Sequence, residues 1–255
     1  MLQGFVAWTL WPMASDLAAV PADAPLIAAA ADLRFALDEI AADFRRATGQ
    51  DVRIVYGSSG NFRRQIAEGA PFELFLSADE SYIVALAREG FMIDDGVPYA
   101  IGRIALVVPA GSPLKLDGEL VDLAAAASDG RVRRFAIANP EHAPYGRAAR
   151  EALQKARAWD ALQDRLVLGE NVAQATQFAV SGGAQGGIVA LSLARSPEVA
   201  GRARFVVIPD QMHAPLVQRM ALTRRAQSTA REFYAYLQGP QARAVFLRHG
   251  FAAPA

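Results

Sequence analysis

Four short segments of the sequence combine small, hydroxyl and amide residues in a pattern that suits the binding of a compact anion. They span residues 29–33, 57–61, 140–146 and 170–172, and each comes directly before a stretch with helical periodicity. The start of a helix offers unpaired backbone N–H groups at the positive end of the helix dipole. Because these segments contain no Lys or Arg, they predict reversible capture of an anion by neutral donors rather than catalysis.

The composition excludes several other classes of function. The 255 residues balance 26 Lys and Arg against 26 Asp and Glu, so no basic face for nucleic acid is expected. The absence of Cys excludes disulfides, thiolate nucleophiles and Cys-bound metal, and it is compatible with an oxidising compartment. Neither a metal cation nor a cofactor is predicted, because the three His residues lie far apart without metal-ligand spacing. These residues are His142, His213 and His249.

The N-terminal region is apolar over residues 4–14, which is too short a run to cross a bilayer. Small residues follow it, so residues 1–24 are predicted to be a secretory signal segment that directs the chain to the periplasm or another extracytoplasmic space. The signal is atypical because no Lys or Arg precedes the apolar run. The alternative is an ordinary buried terminal segment.

Apolar β-like runs alternate with helical periodicity over the rest of the chain. This alternation predicts an α/β fold with parallel-type sheets flanked by helices, in which ligands bind in loops at the carboxyl ends of strands. All four anion-binding segments occupy such loops. The predicted strands are 26–30, 52–56, 74–76, 104–108, 135–138, 187–190, 205–208 and 219–223. The predicted helices are 33–44, 62–68, 81–88, 147–159, 172–181, 228–237 and 241–249.

Several of the polar residues also allow a purely structural interpretation. Ser58 and Ser59 precede a helix, where one hydroxyl can cap it while the other donates outward, or both can serve only as caps. Asp79 is expected to cap the helix at Ser81, and His142 to fix its loop by hydrogen bonding. A hydrolase triad of Ser59, His142 and Asp79 is the enzyme alternative, although residues 57–60 do not form the Gly-x-Ser-x-Gly turn of such enzymes.

The order and surroundings of these segments resemble one family, the periplasmic molybdate-binding subunits of bacterial ABC importers. The resemblance covers nearly all of the chain from about residue 25 to residue 251. Its most specific motifs are the Gly-Ala-Pro run that leads into Leu-Ser-Ala-Asp, and the Pro-Glu-His loop. The matching stretches are AAADL at 29–33, GSSGN at 57–61, QIAEGAP at 65–71, LFLSAD at 74–79, NPEHAPYG at 139–146, EALQK at 151–155, GIV at 187–189 and LQGPQA at 237–242.

The resemblance implies a type II periplasmic binding protein with two lobes and a ligand cleft between them. Residues 25–104 and 219–255 would form one lobe, and residues 105–218 the other. The chain would be a monomer without enzymatic activity that captures molybdate or tungstate for an ABC importer permease in the inner membrane. Sulfate, phosphate or a small organic carboxylate is the alternative ligand.

The same resemblance implies an oxyanion site in the cleft that binds molybdate without direct ligands for a metal cation. Ser59 matches a hydroxyl ligand, and Tyr145 and Val172 match positions whose backbone N–H groups bind the anion. Ala190 stands where one branch of the family has a Tyr hydroxyl donor. The residues carried over to the site are Ala31, Asp32, Ser59, Tyr145 and Val172.

Asp32 departs from the family pattern, which has Ser or Asn at that position. A carboxylate beside a dianion in a desolvated cleft is repulsive. Three arrangements would remove the conflict. The carboxylate caps its own helix near Phe35 while its backbone N–H faces the anion and Arg34 offsets its charge, or Asp32 is protonated, or the ligand itself carries a proton.

Overall fold

The computed structural model describes residues 23–254, which form two five-stranded sheets with helices packed against them. The strands of the first sheet are β1 (Leu26–Ala30), β2 (Arg53–Gly57), β3 (Leu74–Ser77), β4 (Val97–Gly102) and β10 (Leu216–Leu222). Those of the second sheet are β5 (Ile104–Pro109), β6 (Phe135–Ala138), β7 (Leu166–Gly169), β8 (Gly187–Ala190) and β9 (Ala203–Val207).

Ten α-helices connect and cover these strands within the described part of the chain. They are α1 (Arg34–Thr48), α2 (Ser59–Ala67), α3 (Glu80–Arg88), α4 (Val121–Ser128), α5 (Pro144–Lys155), α6 (Trp159–Leu162), α7 (Val172–Val180), α8 (Leu191–Ala194), α9 (Ser228–Leu237) and α10 (Pro240–Arg248). Short 3-10 helices lie at Ala31–Leu33, Gln163–Arg165 and Asp210–Met212.

Both sheets are mixed, which corrects the prediction of parallel-type sheets. The first sheet has the strand order β2-β1-β3-β10-β4, with β10 antiparallel to both of its neighbours. The second has the order β7-β6-β8-β5-β9, with β5 antiparallel to both of its neighbours. The reversed strand in each sheet is the one that the chain enters from the other sheet. This strand therefore begins near the space between the two sheets and runs away from it, whereas the strands that lead into helices end there.

The chain passes between the sheets twice, once at Arg103 and once between β9 and β10. Ile104 already pairs with Ala190 in the second sheet, and Leu216 already pairs with Gly102 in the first. We propose that each sheet with its helices is one lobe. This division moves the predicted boundaries by one residue at 104 and by three residues at 219.

Helical spacing of apolar residues explains how α1 covers the first sheet. Leu37, Ile40 and Phe44 recur on one face of the helix, and all are buried. Phe44 meets Phe233 and Tyr236 edge to face, with ring centroids 5.1 and 5.4 Å apart. These contacts join α1 to α9, and α1 follows directly on the 3-10 turn at the end of β1.

The predicted signal segment lies mostly in residues 1–22, outside the described residues. Among residues 23–254, no helix is both long enough and apolar enough to cross a membrane.

Candidate functional site

The predicted helix starts come together in one narrow cleft between the two sheets. Strands β1, β2 and β3 end there on one side, and β6 and β7 end there on the other, each leading into a turn or helix. All five residues assigned to the site by resemblance line this cleft. Its lining residues are Ala30, Ala31, Asp32, Gly57, Ser58, Ser59, Ala78, Ala143, Pro144, Tyr145, Asn171 and Val172.

Ser59 is the first residue of α2 and is buried, with 1% of its surface exposed. Its hydroxyl oxygen accepts a hydrogen bond from the backbone N–H of Ala78 at 3.0 Å. Because a hydroxyl that accepts still carries its own proton, Ser59 can donate that proton to a ligand in the cleft. The side chain does not cap its helix.

Ser58 contacts the loop of the second lobe rather than the helix it precedes. Its hydroxyl donates to the backbone oxygen of His142 at 2.5 Å, and Nδ1 of His142 lies 3.0 Å from the same hydroxyl. The backbone N–H of Gly60 donates to that His142 oxygen as well, at 3.0 Å. These bonds confirm that His142 fixes its loop, and they join the two lobes directly beside Ser59.

Two helix starts of the second lobe present backbone N–H groups to the cleft. The Asn171 side chain caps α7 by accepting from the N–H groups of Ala173 and Gln174, at 3.0 and 3.1 Å. The N–H of Val172, the first helical residue, remains available to a ligand. Tyr145 occupies the first turn of α5, which begins with a Pro at the favoured position.

Asp32 lines the same cleft as Ser59 and belongs to a buried hydrogen-bonded cluster. Its Oδ2 accepts from the Tyr145 hydroxyl at 2.8 Å and from Nε2 of Gln218 at 2.6 Å. The Tyr99 hydroxyl donates to Oε1 of Gln218 at 2.7 Å, which fixes the orientation of that amide. Oδ1 of Asp32 is buried and has no hydrogen-bond partner among the described residues.

Burial raises the pKa of Asp32 from 3.8 to about 6, because desolvation penalises the charged carboxylate. The hydrogen bonds from Gln218 and Tyr145 act in the opposite direction and limit the rise of the pKa. The carboxyl group therefore changes its charge close to neutral pH.

The predicted capping role of Asp32 is wrong. The 3-10 turn begins at Ala31, so Asp32 lies inside it rather than before it, and no side chain caps this turn or α1. Arg34 does not offset the charge either, since its guanidinium pairs with Glu198 at 3.2 Å. The Asp32 backbone oxygen accepts from the Ser192 hydroxyl at 2.7 Å, which ties this turn to the second lobe.

Sequence reasoning missed Gln218 and Tyr99, the partners behind Asp32. Gln218 lies within β10, where Leu216, Gln218 and Met220 alternate as buried residues of one sheet face. A buried amide in an apolar alternation is a signal that a polar partner lies opposite. The predicted strand began one residue too late to include it.

Charged residues join the lobes at the rim of the cleft rather than inside it. Arg147 of α5 pairs with Asp79 and donates to the Tyr82 hydroxyl at 2.6 Å. Asn61 of α2 donates to Glu170 at 2.5 Å. The lobes are therefore held together by polar contacts between residues that do not line the cleft.

The proposed hydrolase triad has no support in the geometry, because its three members have different partners. Ser59 accepts from Ala78, and His142 contacts Ser58. Asp79 accepts from the backbone N–H of Ser81 at 2.8 Å, which confirms the predicted cap. Ala190 ends β8, and its methyl side chain has no hydroxyl that could contact a ligand. Within residues 23–254, no group of three or more His, Asp or Glu could hold a metal ion.

Comparison with known proteins places this architecture in a family. The sequence model for bacterial extracellular solute-binding proteins matches residues 25–252. The molybdate-binding protein of Rhodobacter capsulatus is 34% identical over 238 residues, covering 91% of this chain and 90% of that protein. The molybdate-binding protein of Escherichia coli K12 is 34% identical over 227 residues, covering 88% and 86%.

The solved structures include close matches in fold. The periplasmic molybdate-binding protein of Azotobacter vinelandii has a TM-score of 0.80 and 29% identity, covering 91% of this chain and 100% of that chain. The sulfate-binding protein of Mycobacterium tuberculosis H37Rv has a TM-score of 0.70 at 20% identity, covering 90% and 86%. The latter likeness extends to the fold alone.

Proposed function

We propose that this chain, which belongs to the family of bacterial extracellular solute-binding proteins, captures molybdate and tungstate for an ABC importer. The observation that carries the proposal is the enclosure of the Ser59 hydroxyl and several helix-start N–H groups in one cleft. None of the residues that line this part of the structure is Lys or Arg. Relatives described as molybdate-binding proteins match about nine-tenths of the chain.

The proposed ligands come from both lobes. Ser59 donates its hydroxyl proton from the first lobe, and the backbone N–H groups of Tyr145 and Val172 donate from the second. The turn formed by Ala31 and Asp32 closes the remaining side. Neutral donors at the positive ends of helices stabilise an anion without placing a fixed cation in the cleft, so the ligand can be released again.

Capture is proposed to proceed by closure of the two lobes. An anion that bonds to Ser59 on one side and to Val172 on the other favours the closed arrangement over the open one. Donors held at fixed positions by α2 and α7 set the size of the tetrahedron that fits. Selection of molybdate and tungstate over the smaller sulfate follows from this size, because sulfate cannot reach all donors at once.

The family places the chain outside the cytoplasm. We infer that the closed, loaded protein acts as a monomer and docks on a permease of the inner membrane. The contacts Arg147–Asp79 and Asn61–Glu170 join the lobes at the rim. We infer that opening of the lobes breaks them, which would allow the permease to distinguish the loaded from the empty form.

Calorimetric titration with molybdate, tungstate, sulfate and phosphate tests the proposal. We expect one site per chain, with micromolar or tighter binding of molybdate and tungstate and much weaker binding of sulfate and phosphate. Equal affinity for sulfate would reject the assignment of the ligand. The absence of a bound state with any of the four anions would reject an oxyanion site altogether.

A further inference from the structure

The unpartnered oxygen of Asp32 is the least explained polar atom of the cleft. Oδ1 is buried without a hydrogen-bond partner among the described residues, although Asp32 itself lines the cleft. A buried polar atom left in this state costs free energy unless a ligand or a proton satisfies it. The arrangement therefore points to a group that becomes satisfied only when the site is filled.

The two oxygens of this carboxyl group have different surroundings. Oδ2 accepts from Tyr145 and Gln218, so its lone pairs are already used. Burial raises the pKa of Tyr145 and of Tyr99 well above the ordinary value, so both hydroxyls stay protonated and act as donors. A proton added to Asp32 consequently resides on Oδ1, the oxygen that has no hydrogen-bond partner among the described residues.

We propose that Asp32 completes the anion site as a neutral carboxylic acid, donating a hydrogen bond from Oδ1 to a ligand oxygen, so that capture of a dianion takes up one proton from solvent. The inference rests on the proposed function and specifies the chemical state of its site. The affinity of the chain for the anion then depends on pH, because only the neutral carboxyl group donates to the ligand.

The charged groups near this turn do not provide the compensation that a carboxylate would need. Arg34, at the start of α1, is paired with Glu198. Arg53 begins β2, whereas Gly57, at the other end of the strand, lines the cleft. The hydroxyl of Tyr56, also on β2, donates to Asp38 rather than to Asp32. Helices α7 and α8, which also pack on the turn, contain no titratable side chain.

In the empty protein the pKa of Asp32 is about 6, so little further change is needed to keep its carboxyl group neutral when the anion is bound. A dianion placed against the carboxyl group would raise its pKa further, because the two negative charges repel each other in a desolvated cleft. Near neutral pH the empty protein is mostly charged at Asp32 and the loaded protein is neutral there. The difference is the proton that binding takes up.

Titration calorimetry with molybdate, near pH 7.5 in HEPES and in Tris, measures this proton, because the two buffers have different heats of ionisation. Molybdate is a dianion at that pH, so it brings no proton of its own. We expect uptake of about one proton per molybdate in the natural protein and none in Asp32→Asn. The affinity of the natural protein should fall about tenfold per pH unit above pH 6, whereas that of Asp32→Asn stays level.

Asp38→Asn is the matched control, because Asp38 lies on the neighbouring helix, also accepts from a Tyr hydroxyl and is exposed. It should keep the full proton uptake. Should Asp32→Asn fold poorly, Tyr145→Phe provides a second test. Removing one donor from Oδ2 raises the pKa of Asp32, so the fall in affinity should begin at a higher pH.

The outcomes separate this inference from the proposed function. Molybdate binding without proton uptake in the natural protein would overturn the role of Asp32 and leave the function intact. Equal uptake in Asp32→Asn would assign the proton to another group and would also overturn it. If neither molybdate nor tungstate binds at any pH, the proposed function itself fails.

Discussion

Two parts of the cleft lining, around Ser59 and around Asp32, differ in where their hydrogen-bond donors point, and we call them the Ser59 end and the Asp32 end. At the Ser59 end, the hydroxyl accepts from Ala78 and keeps its own proton for a ligand. At the Asp32 end, the protons of Tyr145 and Gln218 are already donated to Oδ2, and a carboxyl oxygen remains. The first end is prepared for an anion at any pH, whereas the second requires a proton. A single cleft thus combines a fixed donor set with a titratable one.

One anion can contact both lobes only when they are closed. A substitution at Gly60 is expected to disturb this closure most strongly. A Cβ at this position would lie 2.5 Å from the backbone oxygen of His142 and 3.0 Å from its Cα. Gly60→Ala therefore forces the second lobe away from α2, because backbone atoms cannot yield as a flexible side chain can. We expect molybdate affinity to fall at least about a hundredfold, or about 3 kcal/mol, by calorimetry.

Gly183→Ala is the control for this substitution, since the nearest atom to its added Cβ lies 3.6 Å away. It should leave molybdate affinity unchanged. The empty Gly60→Ala protein should melt near the temperature of the natural protein, because the lobes can separate without unfolding. Unchanged affinity in Gly60→Ala would mean that the bound state does not bring His142 against α2.

The second expected effect is on the stability of the empty protein, and it depends on the protonation of Asp32. A carboxyl group whose folded pKa is raised binds its proton more tightly when folded, so it stabilises the fold at low pH. That stability is present below about pH 3.8 and is lost as pH rises through about 6. The pKa difference corresponds to about 3 kcal/mol in the free energy of unfolding. Asp32→Asn cannot titrate and should lack this loss.

Urea unfolding of the natural protein and of Asp32→Asn between about pH 4 and pH 7.5 measures the difference. Other groups titrate in this range too, so the quantity to compare is the difference between the two proteins at each pH. It should move in favour of Asp32→Asn as pH rises and then become constant. A difference that does not change with pH would show that Asp32 stays charged throughout.

The sequence predicted most of the strands and helices of this chain, but not all of them. Buried apolar runs such as Leu74–Ser77 and Phe135–Ala138 predicted their strands closely. Strands β4 and β7 were missed. Pro98 and Gly102 weaken the strand pattern of β4, and β7 has only four residues, of which Leu168 is 47% exposed. The predicted helix of 147–159 ends earlier, and Arg157 then adopts a positive φ of 57°.

For the site, local sequence could predict helix starts but not partners from distant parts of the chain. The small and hydroxyl residues around Ser59 follow directly from the pattern of their own segment. Asp32, in contrast, receives its hydrogen bond from Gln218, which lies 186 residues further along the chain. From the local sequence, a helix-capping role was the natural interpretation of Asp32. Its actual hydrogen-bond partner is brought beside it only because β10 returns the chain to the first sheet.

The smallest of the three effects belongs to the Ser59 end. Ser59→Ala removes a donor to a buried anion oxygen, which should weaken molybdate binding by about 1–3 kcal/mol at every pH. It also deprives the Ala78 N–H of its acceptor, so the empty protein should lose about 1 kcal/mol of stability. Ser77→Ala is the control: its buried hydroxyl donates to the Asp79 backbone oxygen outside the cleft lining, so stability should fall while affinity holds. Calorimetry and thermal unfolding of both variants separate the roles, and a loss of stability without a loss of affinity in Ser59→Ala would reduce Ser59 to a structural residue.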